Sequence, residues 1–397
     1  MANPNLKEEA IALHQKHSGK LEIVGKMEIT DEKDLSLVYT PGVADVCKQI
    51  AEQPDKVNSL TSRGNMVAIV TDGTAVLGLG NIGPKAAMPV MEGKALLFKK
   101  FANIDGFPVC LNTQDTDEIV QIIKALSPTF AGINLEDIAA PRCFEIEERL
   151  KEELDIPVFH DDQHGTAIVV LAALTNALKV VNKLNQPIKM VINGAGAAGT
   201  AIANLLLHAG FKDITLVSLE GVVAKGEAWL NPMQAKMAEV TNLAGVKGTL
   251  KDAITDADVF IGVSGPGAMK KEHIQAMAKD PIVLALANPI PEIYPEEAVE
   301  AGAAVVGTGR SDYPNQVNNL LAFPGIFRGA LDAGAKTITM EMKIAAAYAI
   351  ADVLSDKEVN ANMIIPDALD ARVAQRVAEA VATTALQRER VAALSAN

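Results

Sequence analysis

Two pairs of adjacent acids carry the clearest chemical potential in the chain. They are Glu136-Asp137 within INLEDIAAP and Asp161-Asp162 within FHDDQHGTA, each closing an apolar run and each preceding a helix-like segment. Neighbouring carboxylates repel one another unless water or a cation neutralises them, and an all-oxygen donor set suits Mg2+ or Mn2+. Taken singly, such a pair is more often a solvated surface or a helix N-cap. Together the four could converge on one ion. His160 and His164 flank the second pair, but a zinc site would recruit Cys or a third His at recognisable spacing, and none stands nearby. Both histidines are therefore assigned structural roles.

The pattern GxGxxG occurs twice, at Gly78, Gly80, Gly83 and at Gly194, Gly196, Gly199, so context has to choose between them. The second copy follows the apolar run Lys189–Asn193 and opens a helical pattern over Ala198–Ala209 that leads to another apolar run at Ile214. That is a complete βαβ unit. Glycine there permits the tight turn, lets backbone N–H groups approach a pyrophosphate, and packs the helix close to the strand. The positive end of the helix then faces the phosphates. Gly194, Gly196, Ala197, Ala198 and Gly199 are the predicted dinucleotide contacts. The first copy runs into Pro84 and Pro89, which are expected to disturb a helix in that place, so no dinucleotide is assigned to it.

The next strand ends in Val217-Ser218-Leu219-Glu220, where a carboxylate usually binds the ribose hydroxyls. Ser218 removes the repulsion that excludes a 2′-phosphate, yet Glu220 is close and no Arg is near. NAD and NADP both stay open, with the balance leaning to NAD. Further contacts are expected from Ser264, after the run Val259–Val263, and from Asn288 in Ala287-Asn288-Pro289. Asn288 reads equally well as a plain turn residue before proline.

The elements that must position these residues alternate along the chain. Strand-like runs lie at Met66–Val70, Val158–Phe159, Met190–Ile192, Ile214–Val217, Val259–Val263, Ile282–Leu286 and Ala304–Val306. Helical periodicity covers Glu118–Ala125, Ile146–Glu153, Thr166–Lys179, Ala198–Ala209 and Lys343–Val353, and the tail from Asp370 to Leu394 reads as one amphipathic helix or two. Such alternation predicts α/β architecture with parallel sheets. With 397 residues, 49% of them hydrophobic, the chain exceeds what a single core usually supports, so two domains are expected. The polar stretch Val181 to Pro187 leads into the nucleotide-binding unit, and a second hinge is placed near Asn315 to Pro324.

A formal net charge of -13 argues against nucleic acid as a partner, because such binding draws on clustered Lys and Arg. A small dicarboxylate is still admissible, since a local cation can reverse the field inside one cleft. Cys47, Cys110 and Cys143 form no disulfide framework and no CxxC pair, which fits three buried thiols in a reducing compartment. Met1 to Lys20 carries charge throughout and reads as the start of a soluble helix rather than a signal peptide. The longest apolar stretch, Ala167 to Leu178, is too short to span a bilayer. A cytoplasmic location is expected.

Taken with these features, the segments LSLVYTPGVA, TDGTAVLGLGNIGP, VMEGKALLFKKFA, INLEDIAAPRCFEIE, FHDDQHGTA, NGAGAAG and GRSDYPNQVNNLLAFPGIFRGAL resemble the malic enzymes in their short bacterial form, from about Gly19 to Pro366. The resemblance implies oxidative decarboxylation of (S)-malate to pyruvate and CO2, with NAD or NADP as hydride acceptor and a divalent metal. It places Mg2+ or Mn2+ on Glu136, Asp137 and Asp162. Tyr39 would be the acid that protonates the enol of pyruvate, Lys94 the base that takes the hydroxyl proton, and Asp161 the partner that tunes Lys94. Asn288 and Asn318 would hold substrate. It also implies a Rossmann-type NAD(P)-binding domain over 161–318, set between a substrate and metal domain over 1–160 and a helical segment, 319–397, that returns to the substrate domain. A homodimer whose active sites share residues across the interface is implied as well.

One departure matters. Larger members of that family carry an arginine just after the DG of the TDGTAV segment to bind the malate carboxylate, whereas here Thr74-Ala75 follow Asp72-Gly73. Carboxylate binding then falls to the metal, to groups such as Arg63 or Lys99, or to a neighbouring subunit. The rival readings are an oxaloacetate decarboxylase on the same scaffold and a catalytically silent nucleotide sensor. The second has no need of Tyr39, Lys94 or the four acids.

Overall fold

The computed structural model describes residues 6–76 and 78–395. Its strands form two all-parallel sheets. The first holds β1 (Met66–Thr71), β2 (Asp105–Cys110), β3 (Gly132–Leu135) and β4 (Val158–His160), in the order β2-β1-β3-β4. The second holds β5 (Lys189–Asn193), β6 (Asp213–Val217), β7 (Val259–Gly262), β8 (Ile282–Ala285) and β9 (Val305–Thr308), in the order β6-β5-β7-β8-β9. Their central strands are apolar runs buried from end to end, as sheets covered by helices on both faces require. In each sheet the strand order reverses once, between β1 and β3 and between β5 and β7. Ligand crevices in open parallel sheets lie outside the carboxyl ends of the strands at such reversals.

Helix Asp161–Val180 joins the two sheets. Its middle, AIVVLAAL, is apolar on all sides because it is buried on all sides, packing against helices Ala197–His208 and Met340–Ala351. One hydrophobic core therefore runs from Val67 and Ile69 of the first sheet to Met190 and Ile192 of the second. Near the C-terminus, helices Phe323–Asp332 and Ala371–Ser395 pack on each other and return to helix Pro84–Ala102 of the first sheet. The tail is thus a single helix. Among the described residues no helix is long and apolar enough to cross a membrane.

The structure corrects two local expectations. Pro84 does not disturb a helix after the first glycine motif; it begins one, Pro84–Ala102. Proline at the first helical position costs nothing, since the N–H it lacks would have no intrahelical partner there. Pro89, one turn further, is accommodated inside the same helix. Strand β2, DGFPVC, is not among the strand-like runs of the sequence, since it holds Gly106 and Pro108, but it lies at the sheet edge, where a missing N–H is tolerated.

Candidate active site

The register of the first sheet brings the acids together. Val70 pairs with Leu135 and Leu135 with His160, so Thr71, Glu136 and Asp161 leave their strands at one level. Adjacent strands lie about 4.8 Å apart, which sets Glu136 beside Asp161 without any side-chain contribution. Lys94 enters from helix Pro84–Ala102. Its Nζ lies 2.5 Å from Asp161 Oδ2 and 2.9 Å from Glu136 Oε1, and all three side chains are nearly or fully buried. The ammonium also sits 4.2 Å above the ring of Phe323. Burial pushes the Lys94 ammonium down, but Asp161 and Glu136 more than offset this and hold it above the usual lysine range. Burial pushes the Glu136 carboxyl well up against the pull of Lys94, and the neighbouring acids Asp162, Asp161 and Asp137 push it further.

Glu136, Asp137 and Asp162 each offer a carboxylate oxygen, and these atoms lie within 4.8 Å of one another. The Asp137 N–H donates to Asp162 Oδ2 at 2.8 Å, which ties the end of β3 to the first turn of helix Asp161–Val180. The donor set fits a hard divalent cation: three carboxylates, no sulfur or nitrogen, and four acids against a single lysine. Asp161 faces the lysine instead. Its Oδ2 engages Lys94, and a Cβ on Gly165 would fall 1.9 Å from its Oδ1, so only glycine fits one turn on.

Neither histidine is a fourth ligand. Gln163 Nε2 lies 2.7 Å from His160 Nδ1, and the other ring nitrogen faces Asp162 Oδ2 at 3.3 Å, backing that carboxylate from behind. His164 Nε2 lies 2.9 Å from both oxygens of the buried Glu147, and burial pushes this imidazole down to about 3.

Sequence reasoning missed the clamp that holds the acid-bearing loop. Asp72, at the end of β1, is fully buried and accepts from the Thr74 N–H at 3.0 Å, from Thr74 Oγ1 at 2.6 Å and from Arg142 Nη2 at 2.8 Å. The Ala139 N–H donates to Thr74 Oγ1 at 2.9 Å, and the Ala75 N–H to the Asp137 carbonyl at 2.9 Å. The loop after β1 thereby fixes the loop after β3. The signals available were the Asp72-Gly73 turn closing a strand and Arg142 following Pro141. Arg63 and Lys99, expected as carboxylate binders, do not serve. Arg63 is held by the Pro128 carbonyl at 3.0 Å, and Lys99 pairs with Asp105 at 2.9 Å where β2 begins, the end of the sheet opposite the acids.

The second sheet presents a dinucleotide cradle at its own reversal. A cavity of about 710 Å3 is lined by Gly194, Gly196, Ser218, Glu220, Ser264 and neighbours. Helix Ala197–His208 begins at the motif, with Ala197 and Ala198 in its first turn and Gly199 behind them. A Cβ on Gly194 would meet the Val263 carbonyl at 2.4 Å and one on Gly199 the Gly194 carbonyl at 1.7 Å, whereas Gly196 faces open space. That is the division of labour by which such a turn lets a pyrophosphate approach. Ser218 Oγ donates to Glu220 Oε2 at 2.6 Å on the rim. Ser264 is braced from below by Glu292, a fully buried carboxylate that accepts from the Ser264 N–H at 2.8 Å and the Ala287 N–H at 3.1 Å. No local pattern in the sequence marks Glu292.

Asn288 is exposed on the turn after β8, where its Nδ2 donates to the Gly309 carbonyl at 3.3 Å. A Cβ on Gly78 would lie 2.7 Å from the Asn288 carbonyl, so the first glycine motif serves close approach between loops of the two sheets. Asn318 is half-buried, and its Oδ1 accepts from the Leu320 N–H at 2.9 Å. Tyr39 does not join the cluster within its own chain: it is 70% exposed.

Residues 18–151 match the malic enzyme N-terminal domain and residues 163–386 the malic enzyme NAD-binding domain. The bifunctional malic/malolactic enzyme of Bacillus subtilis is 60% identical over 384 residues, covering 96% of this chain and 94% of that one. The NAD-dependent malic enzyme of Geobacillus stearothermophilus is 59% identical, covering 92% and 77%. The crystal structure of an NAD-dependent malic enzyme from Thermotoga maritima superposes with a TM-score of 0.91 at 51% identity, covering 94% of this chain and 98% of that one. With both of its sheets and both of their ligand edges accounted for by these matches, the chain belongs to the malic enzyme family.

Proposed function

We propose that the protein oxidatively decarboxylates (S)-malate to pyruvate and CO2 with reduction of NAD(P), in a divalent-metal-dependent reaction. The observation that carries this reading is the junction of Lys94 with Asp161 and Glu136 beside the carboxylate triad Glu136, Asp137 and Asp162. Glu136, Asp137 and Asp162 would hold Mg2+ or Mn2+, which would supply polarisation of the C2 oxygen, relief of the acids' hold on the Lys94 proton, and stabilisation of the charge left when CO2 departs. Lys94 is the base for the proton of the C2 hydroxyl, and a bound nicotinamide would accept the hydride from C2. Asp161 positions Lys94 and sets its proton affinity. Tyr39 returns a proton to C3 of the enol. Asn288 and Asn318 hold substrate, the amide nitrogen of Asn318 being left for a substrate oxygen once its Oδ1 has capped Leu320.

The cofactor proposed is NAD, because Glu220 stands at the rim where a 2′-phosphate would have to lie. Gly194, Gly196, Ala197, Ala198, Gly199, Ser218, Ser264 and Asn288 complete its contacts. We place the domains at 1–160, 161–318 and 319–397, a division supported by the return of helices Phe323–Asp332 and Ala371–Ser395 to helix Pro84–Ala102. A homodimer is the proposed assembly. Residues 6–66 contain no buried side chain, while Ile23 is 89% exposed, and Val24 and Met27 are each 71% exposed. Tyr39 lies in this segment, so a second copy covering it would bring Tyr39 into an active site. Cys47, Cys110 and Cys143 are all free, as suits a cytoplasmic protein, but only Cys143 is buried as expected: Cys110 is half-buried on the edge strand β2, and Cys47 is exposed on the segment that packs into no core.

The intact cradle disfavours an oxaloacetate decarboxylase. The test is absorbance at 340 nm with malate and Mn2+, run with NAD and with NADP. Reduced cofactor is expected, faster with NAD; metal-dependent loss of oxaloacetate with no reduced cofactor would overturn the proposal.

A further inference from the structure

The loop after β1 offers Thr74 where larger relatives place an arginine, and Thr74 is fully engaged with Asp72, Ala139 and Arg142. Arg142 is bound to Asp72 through Nη2 and to the Gln114 carbonyl through Nη1 at 2.6 Å. Lys94 is committed to two acids. A dicarboxylate held by a metal on this acidic cluster has a second carboxylate that needs its own positive partner, and these groups do not supply it.

Arg310 does. It follows β9, whose carboxyl end lies next to that of β8, and its Nη1 donates to the Pro289 carbonyl at 2.8 Å in the turn that carries Asn288. Gly309, its neighbour, accepts from Asn288 Nδ2, and the same turn abuts Gly78 of the first sheet. The guanidinium therefore stands where loops from the two sheets meet. Asp312 takes the side edge of the fork, accepting from Nε at 2.9 Å and from Nη2 at 2.6 Å. Of the five N–H donors of a guanidinium, three are used, and one remains on each terminal nitrogen. A guanidinium whose terminal nitrogens each keep a donor can grip a carboxylate with two parallel bonds at the end of its fork. Asp312 and Pro289 act as braces that fix the direction of that end.

Resting on the malate reading above, we propose that Arg310 binds a carboxylate of the dicarboxylate substrate, doing the work of the arginine absent after Gly73. Arg310→Ala is expected to raise the KM for malate roughly 10- to 100-fold, the range for losing a charge-assisted pair of hydrogen bonds, with a far smaller change in NAD affinity. Arg310→Lys, which keeps the charge but loses the fork, guards against misfolding of the alanine variant and should also raise the KM. Added guanidinium ion should partly restore kcat/KM in the alanine variant, an effect that a purely bracing side chain would not give. An unchanged malate KM in both variants, or equal losses in malate and NAD affinity, would overturn the inference while leaving the malate reading intact. A wild-type protein that fails to turn over malate would overturn both.

Discussion

Removing the Arg142 guanidinium tests whether the acid-bearing loop is held by its neighbour rather than by its own fold. In Arg142→Ala, Asp72 stays fully buried and loses its cation, which stands 2.8 Å away in the native protein. Leaving a buried charge unpaired typically costs about 3–5 kcal/mol. Two features reduce this: Asp72 keeps the N–H and hydroxyl of Thr74, and Arg142 is itself 26% exposed, so water screens part of the pair. A loss of about 2–3 kcal/mol follows. The second consequence is local, because Thr74 and Ala75 hold the backbone at Ala139 and Asp137. Loss of such outer support typically lowers metal affinity about 10- to 100-fold. The assay is Mn2+ binding by titration calorimetry on the folded variant, paired with urea denaturation. A variant that loses stability but binds Mn2+ like the wild type would refute the claim that the clamp positions the metal ligands.

Two further outcomes follow from other parts of the structure. Lys94→Ala should lower malate oxidation by about 100- to 10,000-fold while NAD binding survives, measured by steady-state kinetics and calorimetry; loss of NAD binding would show Lys94 to be structural. Lys343 gives a pH effect. It is nearly fully buried against Phe159 at 6.0 Å, with Glu147, Lys151 and His164 near it, and burial together with Lys151 pushes its pKa down to about 7. The unfolded chain therefore holds a proton that the folded chain has lost between about pH 7 and pH 10.5, so wild-type stability gains from this group as pH rises through that window. Lys343→Met should stabilise the protein by about 2–4 kcal/mol at pH 7 and progressively less towards pH 10 in urea titrations. A pH-independent difference would contradict that account.

Much of the fold is readable from the sequence because both sheets are buried on both faces, and buried parallel strands leave continuous apolar runs. Strands β5 to β8 fall within a residue or two of the apolar segments MVI, ITLV, VFIGV and IVLAL. The second glycine motif is legible for the same reason: it needs only its own strand and helix. What escapes is whatever depends on register or on distant partners. Asp137 and Asp162 stand 25 residues apart and meet only because β3 and β4 are neighbours, and Arg142 reaches Asp72 across 70 residues. Local reasoning thus leaves each acid pair looking like surface, and the family resemblance alone singles out Lys94. Tyr39 is different again: it is 70% exposed, and only the family resemblance points to it.

Oxidation and decarboxylation share one site in the proposed reaction, and a product balance tests that union most directly. With (S)-malate, NAD and Mn2+, the wild-type protein should form NADH, pyruvate and CO2 in equal amounts, all abolished together by chelating the metal. Release of pyruvate or lactate with no matching NADH, or NADH formed in undiminished yield after chelation, would contradict it.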